Sequence, residues 1–133
     1  MNILEDYIQH PLMPLKKDNP DINRVENNEL CDDSIEVYID LEESQLKDFS
    51  YTWNLSLTAL GVVSLLHDLL PWMTVESIRW LEYSFLEDEW VLVSTRRKKT
   101  AALPLVAIIN ALHNWKWDET RLDVEQFAYS DMV

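Results

Sequence analysis

The stretch Ser34-Ile35-Glu36-Val37-Tyr38-Ile39-Asp40-Leu41 alternates strictly, with Ile35, Val37, Ile39 and Leu41 on one face and Glu36, Tyr38 and Asp40 on the other. A β-strand with one face in a core and the other in water gives this period of two. The polar turn Glu42-Glu43-Ser44 follows. A second run then sets Phe49, Tyr51 and Trp53 on a common face, with Lys47 in phase but near enough to the turn to reach water. Together the two runs predict an antiparallel hairpin. A hairpin alone is marginal in water, so its apolar face demands a cover.

Leu55 to Leu70 supplies that cover, because its leucines and valines leave little polar circumference and predict a nearly buried helix. Gly61, the only glycine in the chain, sits inside it at a cost of about 1 kcal/mol relative to alanine, and close approach of another backbone is the expected reason. Pro71 ends the helix. Thr74-Val75-Glu76-Ser77 reads as the cap and first turn of a helix running to about Tyr83. Glu87-Asp88-Glu89 reads as an exposed acidic turn, and Trp90 to Val93 fits helix and strand equally. A last long helix should begin near Ala101 or Ala102, since Pro104 is tolerated in a first turn, and should end near Asn114.

Upstream, Ile3, Leu4, Tyr7 and Ile8 recur at helical spacing before Pro11 and Pro14, and the polar stretch to Asn28 holds at most an edge strand near Ile22 to Glu26. The expected architecture is one α+β domain over 1–133, a small antiparallel sheet of about three strands with helices packed on one face. Residues 115–133 are left as a C-terminal tail, packed or partly disordered.

The 133 residues carry 11 Lys+Arg against 24 Asp+Glu, a formal charge of −13, and 47% are hydrophobic. That apolar fraction excludes intrinsic disorder, and a chain of this size buries roughly two thirds of its unfolded surface. The acid excess argues against nucleic acid, whose binding rests on cations displacing condensed counterions. One cysteine excludes an internal disulfide framework and fits a reducing compartment. Met1 to Leu15 lacks the basic start and apolar run of a secretory signal, and no stretch of about 18 apolar residues occurs, so a soluble, cytoplasmic protein without membrane contact is expected.

Catalytic signatures do not emerge, and no enzymatic activity is expected. A single glycine cannot build a phosphate-cradling loop, Ser56 and Ser64 lack a nucleophile elbow, and the paired acids read as solvated turns. His10, His67 and His113 lack metal spacing, and His67 reads as a helix-surface histidine. Most of the six tryptophans should pack in the core, with Trp115 and Trp117 free to form a self-association or partner surface. Arg96, Arg97, Lys98 and Lys99 form a basic cluster that reads either as a solvated approach to a helix or as a partner-binding patch.

Several phrases carry more than composition does. An opening helix followed by Pro11 comes first, and Asn28-Glu29-Leu30-Cys31-Asp32-Asp33 then leads into the alternating strand. Lys47-Asp48-Phe49-Ser50-Tyr51 lies on the return strand, the helix from Leu55 follows, and Arg97 to Ile108 runs through Ala101-Ala102-Leu103-Pro104-Leu105. In this order and spacing, from Leu4 to Leu112, the chain resembles the NifU/IscU-type iron–sulfur cluster assembly scaffold family. The resemblance implies the fold shared by IscU-type and SufE-type proteins. It also implies a site in which three cysteines and an aspartate hold a nascent cluster, with sulfur received from a cysteine desulfurase.

Only part of that site is kept. The resemblance sets Cys31 on the first cysteine and Asp33 on the aspartate, but Ser56 on the second cysteine and Thr100 on the third, and it replaces the family's flexible glycines by Asp32 and by Trp53-Asn54-Leu55. Cluster iron is held by thiolates, whereas serine and threonine hydroxyls stay protonated near neutrality and are weak donors. No stably bound cofactor is therefore expected. The resemblance alone leaves open a cluster, or a single divalent metal on Cys31 and Asp33 with help from another chain. Cys31 also reads either as a SufE-like persulfide acceptor or as an inert cysteine at a strand entrance. The expectation is a degenerate scaffold that binds a desulfurase or another assembly protein, with self-association open. An unrelated acidic α+β interaction module is the alternative.

Overall fold

The computed structural model describes residues 4–9, 19–28 and 33–129. The phrase at Pro11 and Pro14 and Cys31 itself lie outside the described residues. Three strands, β1 (Ile22–Asn28), β2 (Asp33–Glu42) and β3 (Gln45–Asn54), form an antiparallel sheet in the order β1-β2-β3. The α+β architecture with its small three-stranded sheet is the one the hydrophobic pattern predicts. The edge strand, β1, extends two residues beyond Glu26.

The hairpin turn is closed by Glu43 and Ser44, both at positive φ (51° and 67°). Two consecutive left-handed residues define the turn whose twist matches that of the flanking strands. The register shifts between Asp40 and Leu41, so that Asp40 faces Asp48 but Leu41 faces Leu46. Lys47 is the extra residue of this bulge, and it stays exposed while Leu46 and Phe49 both enter the core. On the opposite face, Tyr38 was expected in water. It is buried instead, paired with the small Ser50, and its hydroxyl lies 3.5 Å from Thr52 Oγ1.

Six α-helices are present among the described residues: α1 (Leu4–Gln9), α2 (Leu57–Leu69), α3 (Val75–Arg79), α4 (Ser84–Asp88), α5 (Lys98–Trp115) and α6 (Val124–Tyr129). A 3-10 turn at Thr95–Arg97 leads into α5. The core is a single cluster in which Ile35, Val37, Ile39, Phe49 and Tyr51 of the sheet meet Val62, Leu66 and the long apolar run of α5. Helix α5 packs on β1, β2, α2 and α6, and α1 packs on α2.

Three expectations about helices need correction, and the tail, expected as either packed or partly disordered, falls on the packed side. Gly61 is crowded by side chains, not by backbone: a Cβ there would lie 2.7 Å from Leu4 Cδ1 and 2.8 Å from Ile8 Cγ1. Helix α3 stops at Arg79, and the residues expected to form an acidic turn are largely the last turn of α4. Helix α5 starts at Lys98, so Pro104 lies well inside it and has no N–H to give the carbonyl of Thr100. The tail is packed as far as Tyr129, with α6 against α5.

The tryptophans also depart from expectation, because Trp72, Trp80, Trp90, Trp115 and Trp117 are all exposed. Trp72, Trp90 and Trp117 have positive φ (71°, 66° and 59°). Trp90 and Trp117 each stand one residue past a helix C-cap, a place that favours glycine because a left-handed residue there closes the last turn. With its one glycine committed to α2, the chain sets indoles at these stops, and such positions face water. No described helix is long and apolar enough to cross a membrane.

Candidate functional site

Asp33 opens β2, across from Asn54 at the end of β3, and the chain turns from Asn54 directly into α2. That short connection brings two of the motif positions together. The backbone N–H of Ser56 donates to Asp33 Oδ1 at 3.0 Å, and Asp33 is buried. Ser56 is the N-cap of α2, in extended geometry, and its hydroxyl accepts from the N–H of Ala59 at 3.4 Å. An N-cap oxygen satisfies one of the donors a helix start leaves unpaired, and a carboxylate beside the same terminus is favoured by the helix dipole. Both motif side chains are thereby committed to joining β2 to α2.

The start of α5 lies against this end of α2. Thr58, in the first turn of α2, shares a cleft of about 390 Å3 with Leu4, Ile8, Leu92, Arg96 and Arg97. Thr100, half-buried in the first turn of α5, follows Arg97 by three residues. The basic cluster divides here. Arg96 and Arg97 are exposed on the cleft, whereas Lys98 is drawn inward, 5.1 Å from the Tyr83 ring centroid and 3.9 Å from Glu87 Oε2. Lys99 is half-buried. Thr58 was not singled out by the sequence, and only its spacing from Ser56 on a helix start could have signalled it.

The residues in place do not suit a cluster. Ser56 and Thr100 offer hydroxyls where thiolates are needed, and the Ser56 oxygen is already an acceptor for the helix. Among the described residues no three His, Cys, Asp or Glu side chains converge as a metal would require.

A second polar concentration lies at the other end of α5, about 20 Å away at 1.5 Å per residue. His113 is 1% exposed, and its Nδ1 accepts from Arg79 Nε at 3.1 Å. The Arg79 guanidinium also donates to Glu76 at 2.9 Å and to Asp118 Oδ2 at 2.6 Å. Burial, and next the Arg79 charge, push the His113 pKa below its ordinary value. Its neighbours Asp118 and Glu76 are held below the usual carboxylate range, Asp118 chiefly by hydrogen bonds from Thr120 and Glu76 chiefly by the bond from Arg79. Beside them, Asn110 donates to Glu26 Oε1 at 3.1 Å and to the Leu122 carbonyl at 3.1 Å, while its own oxygen accepts from the Leu122 N–H at 2.8 Å. Arg121 Nη2 completes the group, 2.8 Å from Glu26 Oε2. The sequence reading passed over Glu26 and Asn110. Glu26 in phase with Ile22, and one amide within the apolar run of α5, were the signals available.

No protein-family model and no curated protein sequence matches the chain. Solved structures do. The chain superimposes on the N-terminal, nitrogen-fixing NifU-like protein of Brucella abortus with a TM-score of 0.71 at 12% identity, covering 86% of this chain and 92% of that one. A protein described as an iron–sulfur cluster assembly scaffold for the SUF system, from Fervidobacterium islandicum AW-1, gives a TM-score of 0.70 at 15% identity over 84% and 95%. The three-stranded sheet and its covering helices thus share the fold of these NifU-like and SUF-system scaffold proteins.

Proposed function

We propose that the chain works by binding, as a scaffold-fold protein that meets an iron–sulfur assembly partner at the shared end of α2 and α5 without holding a cluster on its own residues. The observation that carries this reading is the clasp between Asp33 and Ser56. Two positions that resemble the family's ligands are tied into backbone hydrogen bonds, and the exposed Arg96 and Arg97 remain to meet a partner's carboxylates. A cysteine desulfurase is the partner the resemblance suggests.

Reconstitution under anaerobic conditions with ferrous iron and sulfide tests the first half. The protein should form no stable visible chromophore, whereas Ser56→Cys combined with Thr100→Cys, which with Cys31 restores the three cysteines that the resemblance implies, should gain one. A stable chromophore on the unaltered chain, abolished by Cys31→Ser, overturns the reading. Titration with a cysteine desulfurase tests the second half: Arg96→Glu with Arg97→Glu should weaken binding by about tenfold or more.

The same end of the molecule favours a second reading. Cys31 is two residues from Asp33, whose carboxylate meets the N-terminus of α2, and that helix start shares its cleft with Arg96 and Arg97. Helix N-termini and cations favour thiolate, and here they have to offset the carboxylates of Asp32 and Asp33 next to Cys31 in the sequence, which disfavour it. In this reading the Cys31 thiolate attacks the outer sulfur of the desulfurase persulfide. A sulfur–sulfur bond forms on Cys31 as the donor's bond breaks, and the donor cysteine leaves as thiolate. Mass spectrometry after incubation with a desulfurase and cysteine decides it: no added sulfur on Cys31 removes the group-transfer reading.

A further inference from the structure

The end of α5 that carries His113 opens a cleft of about 550 Å3 between Arg79–Glu82 and the returning segment Thr120–Phe127. Its apolar walls come from Trp80, Leu81, Leu122 and Phe127. Trp80 is 64% exposed at the rim, and Trp117, three residues before Thr120, is 95% exposed. Neither indole is needed to fill the core, and Trp117 is held in a left-handed conformation that a bulky residue adopts at a cost of about 1 kcal/mol or more. Large aromatics of this kind dominate binding energy where they are buried by a partner.

The charges at the cleft select the partner. The cations Arg79 and Arg121 are engaged within the chain, by Glu76 and Asp118 and by Glu26 respectively. Lys116 lies 3.7 Å from Glu76. Glu82 and Asp123 lie in the lining with Arg79 and Arg121, and Glu76, Asp118 and Glu26 lie beside it with Lys116 and Arg24, so carboxylates outnumber cations at this end, in line with the charge of −13 on the whole chain. A second copy of so acidic a chain meets long-range repulsion, whereas a basic segment is attracted.

We propose that this cleft is a docking groove for a short segment of another protein that combines arginine or lysine with leucine-like side chains. The apolar side chains enter between Trp80 and Phe127, and the cations meet Glu82 in the lining and the exposed indole of Trp117, three residues before Thr120, where cation–π contact adds to charge attraction. This surface lies a helix length from Asp33 and Ser56 and does not depend on the function proposed for that end.

Titration of the full chain with a short peptide alternating leucine and arginine, followed by NMR of the six tryptophan indole N–H groups, tests the groove. The Trp80 and Trp117 signals should move while that of Trp90 stays, and binding should weaken with added salt. Glu82→Lys and Trp117→Ala should each weaken it about tenfold while the circular dichroism spectrum is unchanged. A peptide with glutamate in place of arginine should not bind. Equal binding of the two peptides, or insensitivity to Glu82→Lys, overturns the proposal. A concentration-dependent dimer that Trp117→Ala abolishes would overturn it in favour of a second copy.

Discussion

The two ends of α5 handle polarity in opposite ways. At its start, Asp33 and Ser56 satisfy backbone N–H groups, and the cations Arg96 and Arg97 stand out in water. At its end, the buried His113 and Glu26 are held by Arg79 and by Arg121, whose own side chain reaches the surface, and the large apolar groups left in water are aromatic. The difference teaches where change is tolerated. A polar group that serves only a helix terminus can be exchanged for another acceptor at modest cost, whereas a buried charge can be changed only together with its partners.

The sharpest way to break this contrast is Asn110→Ala. It leaves Glu26, 2% exposed, without its amide donor and frees both the N–H and the carbonyl of Leu122. The expected loss is about 3 kcal/mol in urea unfolding, with the segment after Asp118 loosened. A loss below about 1 kcal/mol would show that the buried network adds little to the fold.

Ser56→Ala, at the other end, should cost about 1 kcal/mol, the worth of one N-cap, with the fold retained. If it cost as much as Asn110→Ala, the two ends would not differ in kind.

How much of this was readable in advance depends on the range of the interaction. The hairpin and α2 announce themselves because period two and a full apolar circumference are local properties. The bulge at Lys47 was hidden, since counting alternation cannot see an inserted residue, and only the pairing of Leu41 with Leu46 reveals it. The resemblance rightly pointed to a scaffold-like fold, yet the clasp between Asp33 and Ser56 joins residues separated by a whole hairpin. The partner of Gly61 is α1, far away in sequence, so backbone approach was the natural but mistaken guess. Pro104 misled for a different reason: a helix buried along its length, as α5 is, tolerates one missing hydrogen bond that an isolated helix would not.

A pH titration sharpens the contrast without altering size or packing. His113 is neutral in the fold because its Nδ1 must accept from Arg79, and its folded pKa lies below the ordinary 6.5. Between those two values the unfolded chain binds more protons than the folded one, so stability rises with pH there. The contribution is complete above about pH 6.5 and is lost as pH falls through the folded pKa. Arg79, Glu76 and Asp118 face the imidazole throughout. In His113→Gln this part of the acid dependence should disappear from unfolding curves; an unchanged slope would assign it to the carboxylates instead.

The smallest effect has the opposite sign. Trp117→Gly relieves the left-handed backbone at the end of α5, removes an indole that buries almost nothing, and should raise stability by about 0.5 kcal/mol despite the entropy of glycine in the unfolded chain. The same substitution should weaken the basic peptide's binding if the exposed indole three residues before Thr120 takes part in the docking proposed above. Trp90→Gly relieves a comparable strain away from that groove and should raise stability without touching binding. If both substitutions stabilise and only the first loses affinity, the strain at Trp117 is tied to recognition and is not merely the consequence of a chain poor in glycine. If neither affects affinity, the exposed aromatics at this end are no more than helix stops.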